Sequence, residues 1–242
     1  MGVELWKYVV IIIFGYLMGN IFFGRIIARI KRIDLSRGTG NPGTMNMLRN
    51  YGMGMGMLTL VLDALKGAIP AVVGFYLFND FNNIQHLGQA LSDANVRCYL
   101  GLYIGGLSAL VGAVYPVFYK FKGGKGAATI YGMYLVADWK PGLIIFGVGI
   151  LWLLLMDYGS LASFTMVTIY TVVQGINAYG HIAISIILFV IFALMWFAFR
   201  SNIFRLLIGK ENKVNFIRGL KKLKKKRLEK IEAKARNSNE LG

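Results

Sequence analysis

Three segments of this 242-residue chain combine glycine, amide and basic side chains in ways suited to holding phosphate. In the first, GTGNPGTMNMLR (38–49), glycines can present consecutive backbone N–H groups to an anion, Asn41 and Asn46 supply amide donors, and Arg49 is a planar, multidentate partner for phosphate. A well-capped turn before an apolar run would use the same residues. In the second, YPVFYKFKGGKGAAT (115–129), Gly123, Gly124 and Gly126 surround Lys125 just ahead of a helical stretch, with Lys120 and Lys122 close by. A helix N-terminus, free N–H groups and a lysine make an anion site, although the residue order is not that of a Walker loop. Positive charge at a membrane surface is the competing explanation. The third, FRSNIFRLLIGKENK (199–213), places Asn202 and Arg205 on neighbouring faces of a helical extension, followed by Glu211; taken alone it is a helix end. Asp63 and Lys66 lie three apart inside an apolar run, where they can pair and face a bundle interior or a polar cavity, or serve as a purely structural ion pair.

The elements that must position these residues are membrane spans. The chain is 56% hydrophobic and 16% charged, against about 25% charged in an average soluble domain, so it reads as an integral membrane protein. A crossing helix needs about 20 apolar residues. Apolar windows lie at 6–28, 53–78, 99–119, 141–157, 159–177 and 181–199, with a weaker one at 126–138 whose glycine and alanine content also fits a re-entrant or tilted piece packed on protein. The first window is too long for a signal-peptide core, lacks a convincing cleavage site, and is expected to be retained as a helix. The single cysteine, Cys98, excludes an intramolecular disulfide and a multi-cysteine zinc site.

Charge placement chooses between six and seven crossings. Arg25, Arg29, Lys31, Arg32, Arg37 and Arg49 make the first connection strongly basic, and the residues from Arg200 onward supply most of the net charge of +16. Both segments fall on the cytoplasmic side if residues 126–138 cross, and on opposite sides if they do not. The expected fold is therefore all-α and polytopic, with seven transmembrane helices, the N-terminus outside and the C-terminus cytoplasmic. Residues 1–213 form the membrane domain, and 214–242 a basic cytoplasmic tail. Leu220, Leu223, Leu228 and Ile231 interleave with the tail's lysines, a pattern that suits an anionic leaflet better than nucleic acid, since no aromatic is present to stack bases. The same topology gathers the three glycine-rich or polar segments on one face and sends His86 and His181 to the other.

At these motifs the chain resembles the bacterial acyl-phosphate-dependent glycerol-3-phosphate acyltransferases. GTGNPGTMN with the following Arg49, YPVFYKFKGGKGAAT, and NIFRLLIGKE look like the family's three signature motifs in order, LDALKG (62–67) also fits, and the similarity extends to about Lys213. The resemblance implies a multi-pass protein of the bacterial inner membrane with a cytoplasmic active face. It also implies transfer of a fatty acyl group from acyl phosphate to the 1-hydroxyl of glycerol 3-phosphate, giving lysophosphatidate and phosphate, with no cofactor and no metal. By matching positions, Thr39, Asn41, Asn46 and Arg49 would shape the first polar loop, Lys125 with Gly123, Gly124 and Gly126 would bind phosphate, and Asn202 and Glu211 would complete the pocket. Asp63, Lys66 and Arg205 would support it.

The departures from the family pattern are Thr39 for serine, Met45 for threonine, and Ala113 and Phe199 for histidines. Each of the last three removes a hydrogen-bonding group. Acyl phosphate is already activated, so attack on it needs positioning more than a nucleophilic side chain, and no Ser-His-Asp arrangement is available on the cytoplasmic side. Two alternatives stay open: a divergent member that uses another acceptor or binds an anionic lipid without catalysis, and a small membrane transporter.

Overall fold

The computed structural model describes residues 4–34, 43–80 and 84–214. These are helical: α1 (Leu5–Gly19), α2 (Phe23–Ile30), α3 (Thr44–Tyr51), α4 (Met53–Leu77), α5 (Val96–Val114), α6 (Ala127–Ala137), α7 (Trp139–Met156), α8 (Gly159–Asn177) and α9 (Ile182–Leu207), with a 3-10 turn at Val117–Tyr119. Thr39, Asn41 and the tail from residue 215 lie outside the described residues.

Among the described residues six helical segments are long and apolar enough to cross a membrane: Leu5–Ile30, Met53–Leu77, Val96–Tyr119, Trp139–Met156, Gly159–Asn177 and Ile182–Leu207. The expected seventh, residues 126–138, is the 11-residue α6. At 1.5 Å per residue it spans about 16 Å, half of a hydrocarbon core. The helix stops because Asp138 turns to extended backbone and caps α7, its side chain accepting from the Lys140 N–H at 3.3 Å. The seven-span fold is thus corrected to six candidate spans, and the placement of the two termini on opposite sides, which rests on an odd number of crossings, falls with it.

Close backbone contacts hold the bundle together, as small residues permit when there is no hydrophobic driving force between helices. A Cβ on Gly19 would lie 2.1 Å from the Ala109 carbonyl oxygen, joining α1 to α5, and one on Gly74 would lie 2.1 Å from that of Gly101, joining α4 to α5. Helix α6 is seated on α4 in the same way: a Cβ on Gly67 would lie 1.8 Å from the Thr129 carbonyl oxygen, and one on Gly132 would lie 1.9 Å from that of Ala64. Because the obstacle at Gly132 is helix backbone, Gly132→Ala is expected to cost about 1–3 kcal/mol and to lower the thermal midpoint in detergent.

The α1–α2 break falls at Asn20, whose side-chain amide donates to the Tyr16 carbonyl at 2.7 Å. Lys66 of α4 stabilises the break from below: its Nζ donates to the Ile21 carbonyl at 3.1 Å, pairs with Asp63 at 3.0 Å, and lies 5.0 Å from the Phe22 ring centre. The two membrane-depth charges therefore neutralise each other and fix a bend.

Candidate active site

A cavity of about 690 Å³ opens among α3, α4, α6, α7, α8 and α9. Its polar end is built by the three segments singled out in the sequence. In the first, Gly43 is extended and α3 begins at Thr44, which places Asn46 and Arg49 one turn apart on the cavity wall. Asn46 is buried, and its side-chain oxygen accepts from Asn50 Nδ2 at 2.9 Å. Arg49 reaches across to the segment after α9, its Nε donating to the Lys213 carbonyl at 3.0 Å and its Nη2 to that of Asn212 at 3.2 Å.

The second segment reverses the chain in a tight turn. Lys120 and Phe121 adopt left-handed backbone at φ 53° and 59°, and Gly124 N–H donates to the Ala113 carbonyl at 2.9 Å. Gly123 lies in this fold-back, where a Cβ would meet the Ala113 and Val114 oxygens at 2.4 Å; unlike Gly124, Lys125 and Gly126 it does not line the cavity. Gly126, at φ 72°, opens α6, so the first turn of that helix, Ala127 to Thr129, faces the cavity. Lys125 makes no hydrogen bond or ion pair with a described residue; its ammonium sits 5.0 Å from the Phe199 ring centre.

The third segment converges on Glu211. Asn202 Nδ2 donates to Glu211 Oε1 at 2.7 Å and Arg205 Nε to Oε2 at 2.9 Å. A residue the sequence reading missed, Ser160 in the first turn of α8, donates its hydroxyl to Oε1 at 2.8 Å. The loop after α9 is fastened further by Val214 N–H donating to the Asp157 carbonyl at 2.9 Å. The Asn202 Oδ1 and Thr44 Oγ1 atoms are buried without a hydrogen-bond partner among the described residues, and both residues line the cavity. Buried polar atoms are rarely left unsatisfied, so these two mark places where a polar ligand would bind.

Burial lowers the Lys125 ammonium from 10.5 to about 8; nearby Glu211 raises it in part, while Arg205 and Arg49 lower it further. Burial pushes the Glu211 carboxyl up, but the hydrogen bonds from Ser160, Arg205 and Asn202 outweigh this and hold it below the ordinary glutamate value. Burial also lowers Arg49, against the opposing pull of Glu211 and Asp157.

Beneath the polar end the cavity continues as an apolar arm, with Met57 and Leu60 of α4 on one side and Phe146, Ile150 and Met166 of α7 and α8 on the other. Gly149 leaves room for Met166, whose sulfur would be 2.0 Å from a Cβ there. The stacked rings of Tyr131 and Phe146, 5.2 Å apart, border this arm. Asp63 and Lys66 border the cavity as an already neutralised pair. Of the departures from the family motifs, Met45, Ala113 and Phe199 all lie on the cavity wall.

Residues 9–209 match the model of the glycerol-3-phosphate acyltransferase family. The glycerol-3-phosphate acyltransferase of Aquifex aeolicus (strain VF5) is 36% identical over 208 residues, covering 86% of this chain and 99% of the relative. That of Brucella suis (strain ATCC 23445 / NCTC 10510) is 33% identical over 205 residues, covering 84% and 91%. Among solved structures, the integral membrane glycerol 3-phosphate acyltransferase PlsY in its glycerol 3-phosphate form superposes with a TM-score of 0.72 at 34% identity, covering 85% of this chain and 94% of that one. Its lysophosphatidic acid form gives 0.73 at 33% identity, covering 88% and 98%. On both the family match and these relatives, the chain belongs to the glycerol-3-phosphate acyltransferase family.

Proposed function

We propose that the chain transfers a fatty acyl group from acyl phosphate to the 1-hydroxyl of glycerol 3-phosphate, releasing lysophosphatidate and inorganic phosphate. One observation carries this reading: a single cavity joins an ammonium that no carboxylate of the described residues pairs with to an apolar arm suited to an acyl chain. The acyl chain lies in the arm, and its carbonyl stands at the boundary with the polar end. The acyl phosphate group rests against Lys125 and the first-turn N–H groups of α6, where a cation and a helix N-terminus favour an anion. Glycerol 3-phosphate occupies the side of Arg205 and Arg49, and the guanidinium N–H groups of Arg49 not engaged by Asn212 and Lys213 face its phosphate. Asn202 Oδ1 accepts from a glycerol hydroxyl, and Glu211 holds Asn202 and Arg205 in register.

In the reaction the 1-hydroxyl oxygen bonds to the acyl carbon, the bond from that carbon to the phosphate oxygen breaks, and the hydroxyl proton passes to phosphate. No side-chain nucleophile is required, because the donor is activated and the site supplies proximity and charge. The direct test is lysophosphatidate formation from radiolabelled glycerol 3-phosphate and palmitoyl phosphate by the purified protein. If no product forms from folded protein, the reading is wrong.

The bound phosphate needs the charged form of Lys125. We therefore expect kcat/KM to fall as pH rises through about 8. Stability responds in the opposite sense. Between about 8 and the ordinary 10.5 the unfolded chain binds more protons at this residue than the folded one, so its contribution to stability rises with pH. A pH series of activity and of thermal midpoint on the same preparation checks both trends.

The protein is a multi-pass protein of the bacterial inner membrane, and its cavity opens on the cytoplasmic face. What supports that orientation is the distribution of charge: Arg25, Arg29, Lys120 and Lys122 lie in the segments beside the cavity-lining Gly24 and Gly124, whereas the connection 84–98, at the far end of α5, carries Arg97 as its one lysine or arginine. A Lys122→Cys variant should resist a membrane-impermeant maleimide in intact cells and react once the cells are opened.

A further inference from the structure

Lys125 poses a problem that the polar residues around it do not solve. Both oxygens of the adjacent Glu211 already accept hydrogen bonds, from Ser160, Asn202 and Arg205. Arg205 and Arg49 add like charge, and no carboxylate oxygen comes within 4.0 Å of the ammonium among the described residues. A half-buried cation with no carboxylate partner ordinarily gives up its proton or swings to solvent.

The group that meets it is Phe199, on α9. The ring is 2% exposed and its centre is 5.0 Å from Lys125 Nζ. Its orientation is fixed from behind: Phe164 of α8 packs against it at 5.6 Å, and Trp196, one turn earlier on α9, packs on Phe164 at 5.3 Å. A ring face attracts an ammonium through its quadrupole without accepting a directed hydrogen bond. All three N–H groups of Lys125 are thus left for an incoming anion. A histidine, amide or carboxylate at this position would hold the lysine by taking one of them.

We propose that Phe199 is a positioning residue whose ring face holds the Lys125 ammonium in the cavity while leaving its donors free for the phosphate of the acyl donor. This rests on the acyl-transfer reading and adds to it a residue that acts through Lys125. It also gives a role to a position where the family motif has an imidazole: the ring supplies electrostatic hold, and the proton chemistry stays with the substrates.

The experiment replaces Phe199 with mono-, di- and trifluorophenylalanine, which drain the ring face of negative charge while nearly keeping its size. The expected result is a stepwise fall in kcat/KM with palmitoyl phosphate, reaching about tenfold at the trifluoro ring, with an unchanged thermal midpoint. Phe199→Tyr should retain activity and Phe199→Leu should lose it. A flat fluorine series overturns the proposal, because a packing role would not sense ring charge. If the unsubstituted protein forms no lysophosphatidate, it is the acyl-transfer reading that has failed. The series is then read by the dissociation constant for inorganic phosphate: stepwise weakening supports a positioning role for Phe199, and a constant affinity rejects it.

Discussion

Lys125→Ala should reduce lysophosphatidate formation by about a hundredfold to a thousandfold, the scale seen when one preorganised donor to a developing charge is lost. The protein should nevertheless fold as well as before. Lys125 makes no hydrogen bond or ion pair with a described residue, and burial disfavours its charge, so its removal relieves a cost and leaves no partner stranded. An unchanged or raised thermal midpoint beside a collapsed kcat would be the signature of a binding cation. Equal losses of both would mean that Lys125 holds the fold and that the phosphate site is elsewhere. Lys125→Arg offers a finer check. A guanidinium keeps its charge, so whatever activity survives should no longer decline above pH 8.

Glu211→Ala should damage both properties. Its carboxylate accepts from Ser160, Asn202 and Arg205 and is the anion set among Arg49, Lys125 and Arg205. Removing it strands three donors and leaves three cations facing one another. Breaking one half of a buried pair costs about 3–5 kcal/mol, and the lower end applies here because the Arg205 side chain is 37% exposed. The displaced Asn202 and Arg205 should lower turnover by roughly a hundredfold, as small errors in substrate placement do. Glu211→Gln separates the two effects. The amide oxygen can still accept from Ser160 and Asn202, which should recover much of the stability. The missing charge would still lower the Lys125 ammonium, and activity should stay low. Thermal midpoints and kcat/KM for the two variants, measured together, decide the matter.

The parts of this site legible in the sequence were those whose chemistry is local. Gly124 and Gly126 on either side of Lys125, and an Asp and a Lys three apart at membrane depth, carry their meaning within one turn of chain, and the structure puts them at the cavity, whereas Gly123 serves the fold-back instead. Ser160 was not legible. A serine in a tight turn between apolar helices has many ordinary reasons to be there, and its partner, Glu211, lies 51 residues away. The helix count failed at α6 for a related reason. A helix packed on all sides by other helices is apolar all round, as a lipid-facing one is, so composition cannot separate them and only length does. Phe199 was legible only as a missing imidazole, because what a ring does depends on which charge is placed over it. Thr39 and Asn41, which the motif resemblance also assigned, lie outside the described residues.

The fastening of residues 211–214 onto α3, Ser160 and Asp157 also sets an order of events during synthesis. Five of the six candidate spans, through α8, end more than 30 residues before Glu211 and can insert before it emerges from the ribosome. At that stage Arg49 has no carbonyls to hold, and Ser160, Asn202 and Arg205 have no common acceptor. A chain cut short after Leu207 would carry all six candidate spans yet have no assembled pocket. Competence to consume acyl phosphate is thereby deferred until the last helix has cleared the exit tunnel, and a prematurely terminated copy would occupy the membrane without spending its activated acyl donor.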